Sequence, residues 1–241
     1  MTDTSAPGTD YIQEQQGRNQ IDDHLPDLIS VQLEQIKCKA QKLFENAKGS
    51  HDWEHTLRVY RMCERIGKAE GADMAVVRPA AYLHDIGRIC QDQSSGKICH
   101  ANEGAKIAQR MIQILPLSDL QKDNIVHCIR THRFRNNQRP ETIEAKVVFD
   151  ADKLDSIGAV GVARAFLFAG EVGATLHNPD IQVEKSLPYS RDDTGYREFT
   201  LKLRLIKDRI MTREGRKIAG ERHEFMANFF KRFLEEYEGK R

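Results

Sequence analysis

The 241-residue sequence contains no run approaching the ~18 consecutive apolar residues of a membrane-spanning helix. No membrane partner is expected on that ground. A surplus of one charge sign is also missing. Thirty-seven Lys and Arg face 36 Asp and Glu, so no field of one sign recruits nucleic acid or an anionic surface. CxxC pairs are lacking, and the five cysteines (Cys38, Cys63, Cys90, Cys99, Cys128) are odd in number. Free thiols in a reducing, cytoplasmic setting are the simplest expectation, and a Cys90–Cys99 bridge is disfavoured. The opening MTDTSAPGTDYIQEQQGRNQ has no basic start followed by an apolar stretch, which argues against a secretory signal. Internal repeats, low-complexity blocks and convincing strand-like alternation are missing too.

What is present is helical periodicity. Residues 1–24 are polar and aperiodic, and a mobile tail is expected there. Pro26 suits the first turn of a helix carrying Leu28, Ile29, Leu33, Ile36, Ala40 and Leu43. A second helix is predicted over 53–70, capped by Asp52 and stopped by Gly71. A third starts after Asp73 and runs into His84–Asp85. Further helices are predicted near 101–115, 119–133, 142–156 and 158–169, although KVVFDAD is short and β-branched enough to be ambiguous. Near the C-terminus Phe199, Leu203, Ile206 and Ile210 read as one helix, and Ile218, Phe225, Phe229 and Leu234 as another. The expected fold is all-α: one domain over 25–241, with its core at about 50–170 and C-terminal helices at about 196–238. An irregular stretch with two prolines lies between Gly173 and Gly195, and the insertion from about Leu176 to Tyr196 is expected to cover the substrate site rather than extend the core.

Five segments carry side chains able to do chemistry. SHDWEHTLRV holds His51, Asp52, His55 and Arg58. AAYLHDIGR ends an apolar run in His84, Asp85 and Arg88. ICHANEGA has His100, IRTHRF has His132, and FDADKLDSIGAVGVAR has Asp152, Lys153 and Asp155. Each has a bland explanation alone. A single helical histidine is more often a packed or surface residue than a ligand, and DADKLD alone fits a solvated acidic turn. His84 and Asp85 could likewise cap a helix end that Gly87 terminates. Together they are harder to explain structurally, because burying an imidazole beside a carboxylate costs several kcal/mol unless each finds a partner. A divalent cation such as Mn, Fe, Co or Mg accepts this mixture, whereas structural zinc closes a four-ligand shell, often with cysteine.

The order H…HD…D, with the flanking HDWEHTLRV, AAYLHDIGR, CHANEGA, IRTHRF, DADKLDSIGAVGVAR and the C-terminal KLRLIKDRIMTREGRKIAGERHEFMANFFKRF, resembles the HD-domain metal-dependent phosphohydrolases, in a single-domain branch. The likeness runs over about residues 25–240. It implies a helical bundle with a metal at its centre, bound by His55, His84, Asp85 and Asp152, and it places Lys153 on substrate phosphate. His100 and His132 are similar to the extra histidines of binuclear members, though contact with phosphate or leaving group is preferred for them. One ion is therefore favoured and a second is open. The GYP signature of cyclic-dinucleotide enzymes is missing.

The implied activity is divalent-metal-dependent hydrolysis of a phosphate ester or anhydride, with manganese a candidate ion and a nucleotide the leading substrate class. Arg58 and Arg88 are candidate phosphate contacts beside Lys153. Asp155 shares a helical face with Asp152 and is a candidate to orient or deprotonate water, with support of a ligand or a helix ion pair as its equal alternative. His100 is the candidate acid for a leaving group. The competing reading is an HD fold kept as a nucleotide-binding regulatory module without turnover.

Overall fold

The computed structural model describes residues 25–44, 52–94, 96–133 and 138–241. The expected N-terminal tail and His51 lie outside them.

The described residues are helical and contain no strand. α1 spans Leu25–Leu43, α2 Trp53–Glu70, α3 Met74–Leu83, α4 Arg88–Gln93 and α5 His100–Met111. α6 spans Asp119–Thr131, α7 Ile143–Leu154, α8 Gly158–Glu171, α9 Gly195–Leu201 and α10 Arg213–Tyr237. The ends follow local chemistry. Asp52, Asp73, Ser118, Thr142, Thr194 and Thr212 each cap a helix with a side-chain oxygen. Gly71 ends α2 in the left-handed region at φ 67°. KVVFDAD resolves as helix because Thr142 caps it and its apolar residues are buried on several sides.

α2 packs on α3 and α7, and α6 packs on α3, α5 and α7. Val59, Ile66, Leu83, Ile125, Ile129, Val148 and Leu154 are buried between them. α8 and α10 form a second layer. There Phe199 stacks on Phe230 with ring centroids 4.6 Å apart, and Phe166 lies beside both Phe229 and Phe230. Removing a buried ring of this kind costs about 3–5 kcal/mol. All five cysteines are free. Leu43 and Phe225, read as core positions, are exposed at the edges of their helices.

One expectation changes. The predicted helix through Phe199, Leu203, Ile206 and Ile210 is broken. α9 stops at Leu201, Lys202 turns at φ −129°, and Leu203–Arg209 forms a 3-10 turn. Leu203 and Ile206 are three apart, a spacing that suits a 3-10 turn as well as an α-helix, so the pattern could not separate them. The segment between Gly173 and Gly195 is ordered as a strap. Thr175 N–H donates to the Arg191 carbonyl at 2.9 Å, and the Arg197 guanidinium binds Asp193 Oδ1 at 2.7 Å and Ser186 Oγ at 2.5 Å. His177 packs on Tyr196, Phe233 and Tyr237. These partners belong to α9 and the C-terminal end of α10, so the strap fastens that layer.

Candidate metal centre

Every candidate ligand sits at a helix end. His55 is in the first turn of α2, where Asp52 Oδ1 accepts its backbone N–H at 2.9 Å. His84 and Asp85 directly follow α3, His100 opens α5, His132 directly follows α6, and Asp152 lies in the last turn of α7. The turn after α3 is drawn close to α5. A Cβ on Gly87 would lie 2.2 Å from the His100 carbonyl oxygen and 2.6 Å from Gly104 N. Gly87 has an ordinary φ of −83°. Its requirement is therefore close backbone approach rather than the helix stop read from sequence.

The side chains form two adjoining groups, His55–His84–Asp152 and Asp85–His100–His132. Within each group the ligand atoms lie within 4.8 Å of one another. Asp85 joins them. Its Oδ2 is 3.9 Å from both His55 Nε2 and His84 Nε2. Its Oδ1 is 3.0 Å from His100 Nε2 and 3.4 Å from His132 Nε2. His55 Nε2 stands 3.4 Å from His84 Nε2 and 3.4 Å from Asp152 Oδ1. The Nε2 atoms of His100 and His132 are 3.1 Å apart.

The outer nitrogens decide what the inner ones can do. His55 Nδ1 donates to Asp155 Oδ2 at 2.7 Å, His84 Nδ1 to the Ala81 carbonyl at 2.8 Å, and His132 Nδ1 to the Ile129 carbonyl at 2.6 Å. His100 Nδ1 faces Gln91 Oε1 at 2.9 Å, an oxygen that also accepts from Arg133 Nη1 at 3.0 Å. These acceptors place a proton on Nδ1 of His55, His84 and His132, which turns their Nε2 lone pairs inward, whereas His100 Nδ1 lies between the Gln91 acceptor and the Arg133 Nη1 donor, 3.2 Å away. Lone pairs and carboxylate oxygens so close together in a buried setting repel unless positive charge lies between them. The donor set therefore suits divalent cations that take mixed imidazole and carboxylate ligands.

Burial keeps His84 and His100 neutral, pushing His84 down to about 4 and His100 down to about 3. Burial also acts to lower His55, but hydrogen bonds to Asp152 and Asp155 outweigh it and raise the group. Burial would raise Asp152, yet Lys153 and His55 hold its carboxyl well below the usual range.

The remaining candidates fall around this centre. Asp155 lies behind His55 rather than beside the inner lone pairs. It accepts from Arg58 Nε at 2.8 Å, Arg58 Nη2 at 3.1 Å and Arg164 Nη1 at 2.8 Å as well as from His55. Arg58, expected on phosphate, thus has two nitrogens engaged by that carboxylate. Arg88 Nη2 is 3.4 Å from Asp85 Oδ2. Lys153 Nζ donates to Asp152 Oδ2 at 2.6 Å, so the long side chain does bend back to the candidate ligand next to it. Gln91, Arg133 and Arg164 were passed over as site residues, although Arg133 stands in IRTHRF and Arg164 closes FDADKLDSIGAVGVAR. Asp150, the second residue of FDADKLD, was also passed over. It is fully buried and accepts from Met211 N–H, Thr212 N–H and the Thr212 hydroxyl, tying α7 to the start of α10.

An all-helical fold whose helix ends converge an H…HD…D set defines a recognisable class. Residues 52–157 match the HD domain family model, and the chain belongs to the HD-domain family. It is 32% identical over 212 residues to the uncharacterised protein YpgQ of Bacillus subtilis, spanning 86% of this chain and 95% of that protein. The crystal structure of YpgQ in complex with ADP superposes with a TM-score of 0.64, covering 87% of this chain and 96% of that one. An HD-superfamily hydrolase from Bacillus thuringiensis, 26% identical, superposes with a TM-score of 0.69 over 87% of this chain and 98% of its own. Ribonuclease Y of Thermoanaerobacter pseudethanolicus is 28% identical over 123 residues, which span 51% of this chain and 22% of that protein. The fold is that of HD-superfamily hydrolases, and no helix among the described residues is long and apolar enough to cross a membrane.

Proposed function

We propose that the chain is a divalent-cation-dependent phosphohydrolase acting on a nucleotide. The observation that carries this reading is the inward donor set: the Nε2 atoms of His55, His84 and His132, with His100 Nε2 beside them, and the carboxylates of Asp85 and Asp152. His55, His84, Asp85 and Asp152 hold one cation. His100 and His132, with Asp85 Oδ1, hold a second, which the convergence of their Nε2 atoms on that oxygen favours over the phosphate or leaving-group contact expected of them. A bound divalent cation supplies an acidified water as nucleophile and positive charge for phosphoryl oxygens.

The chain's own side chains do the rest. Asp155, clamped by Arg58 and Arg164, orients His55 and fixes its tautomer, as carboxylates behind metal-bound histidines do. Four donated hydrogen bonds leave that carboxylate poorly placed to take a proton from water. Arg88 steadies Asp85 from the side. Lys153 carries the cation nearest the ligands without being one, and a phosphate oxygen arriving at Asp152 meets its ammonium as a point charge. The ADP bound by YpgQ supports a nucleotide as substrate class.

The test is release of phosphate or pyrophosphate from a panel of nucleoside mono-, di- and triphosphates with added Mn²⁺, using wild-type protein and Asp152→Ala. Release by the wild type alone supports the reading. Saturable nucleotide binding with no release from any nucleotide establishes instead a regulatory module without turnover.

A further inference from the structure

Lys153 has two neighbours that bear on how a substrate sits. Its ammonium donates to Asp152 Oδ2 at 2.6 Å and also lies over the Phe149 ring, 5.4 Å from the centroid. On that side opens a cavity of about 270 Å³ between α7 and the bend joining α9 to the 3-10 turn. Its inner wall is apolar, from Phe149 on α7 and Leu203 and Ile206 on the turn, all buried. Leu201, half-buried, closes the side. Lys202 and Arg209, both exposed, stand at the mouth, with Glu198 paired to Lys202 at 2.8 Å. The break at Lys202 makes this space. A continuous helix would not carry Leu201 and Leu203 onto adjoining walls of one cavity.

We propose that this cavity receives the nucleoside part of the substrate, with Lys153 as the gatepost between it and the metal centre. The proposal rests on the nucleotide reading above and deepens it. The volume lies just under the ~300–1,000 Å³ of whole small-molecule sites, which suits a fragment such as a base with its sugar. Apolar walls suit a flat, weakly polar ring and offer little to a bare phosphate. Cations at the mouth and at the inner edge suit a ligand that is apolar at one end and polyanionic at the other. Since Lys153 touches both the cavity and a candidate ligand, a nucleotide seated here directs its phosphates past that ammonium.

Two measurements on the full chain with Mn²⁺ decide it. Photo-crosslinking of wild-type protein with 8-azido-ADP, followed by peptide mapping, is expected to label residues within 196–209 or 146–153. Calorimetry of Leu201→Trp, which narrows the cavity from a half-buried position, is expected to weaken ADP binding at least tenfold and to change inorganic pyrophosphate binding less than twofold. Label confined to other segments overturns the proposal, as does ADP binding that is unchanged in the variant or not saturable in the wild type. Equal weakening of ADP and pyrophosphate overturns it as well. The hydrolase reading is scored separately by phosphate release. Turnover with the label elsewhere leaves that reading standing without this cavity, and label here without turnover leaves the cavity standing without that reading.

Discussion

His55 Nδ1 lies 2.7 Å from Asp155 Oδ2, across 100 positions of chain. The pair sets the tautomer of an imidazole whose other nitrogen faces Asp152. Asp155→Asn removes the charge that Arg58 and Arg164 also rely on, and metal affinity is expected to fall about 10–100-fold. Turnover should recover at high metal concentration with its pH profile unchanged. A kcat that stays low at saturating metal, with one limb of the pH profile lost, assigns Asp155 to proton transfer instead.

The Asp85 carboxylate faces two histidine pairs, which predicts two cations per chain. Elemental analysis after Mn²⁺ loading should give two in the wild type and one in the His100→Ala/His132→Ala double variant. One ion in the saturated wild type overturns the second site and returns His100 and His132 to contacts with phosphate.

Metal affinity should fall as pH falls. Protons compete with cations for the Nε2 atoms, and His55 is the imidazole whose protonation is favoured by its carboxylate neighbours. Burial depresses His84 and His100, so they stay neutral well below pH 7. Mn²⁺ titrations from pH 8 to pH 5 should therefore show loss on the acid side, governed first by His55. Affinity constant across that range contradicts the assignment of His55 as a ligand.

Lys153→Ala should cost about 2–4 kcal/mol in kcat/KM if its ammonium meets phosphate, by analogy with loss of an oxyanion donor. Metal stoichiometry and thermal stability should barely move. A partly exposed Lys–Asp pair contributes about 0–1 kcal/mol, so near-wild-type kcat/KM reduces Lys153 to that role.

Asp150→Ala tests the fold without touching the centre. It strands donors on Met211 and Thr212 at the start of α10, and a loss of about 1–3 kcal/mol is expected in denaturant unfolding. Metal bound per folded chain should be unchanged. A variant of wild-type stability shows that the tie between α7 and α10 contributes little.

How much of this was legible follows the range of the interactions. Asp52 and Gly71 bound α2 where the sequence reading put them, because caps and helical periodicity act within about four residues. His55, His84, Asp85 and Asp152 were singled out as candidate ligands through the resemblance to the HD-domain pattern, and the all-α class followed from periodicity. The other relationships lie across the chain. Asp85 Oδ1 meets His100 and His132 only because α5 and α6 bring them there, with Gly87 allowing the approach. Asp155 turned out to face His55 and two arginines, although helix spacing alone put it on the face of Asp152. The break at Lys202, which opens the cavity beside Lys153, was hidden by apolar spacing common to α and 3-10 geometry. The sequence by itself determined which residues could ligate and which segments are helical, since both are local chemistry. Only the tertiary structure decided which nitrogen faces inward, which carboxylate lies between the two histidine pairs and which one stands behind His55, because those depend on where separate helix ends meet.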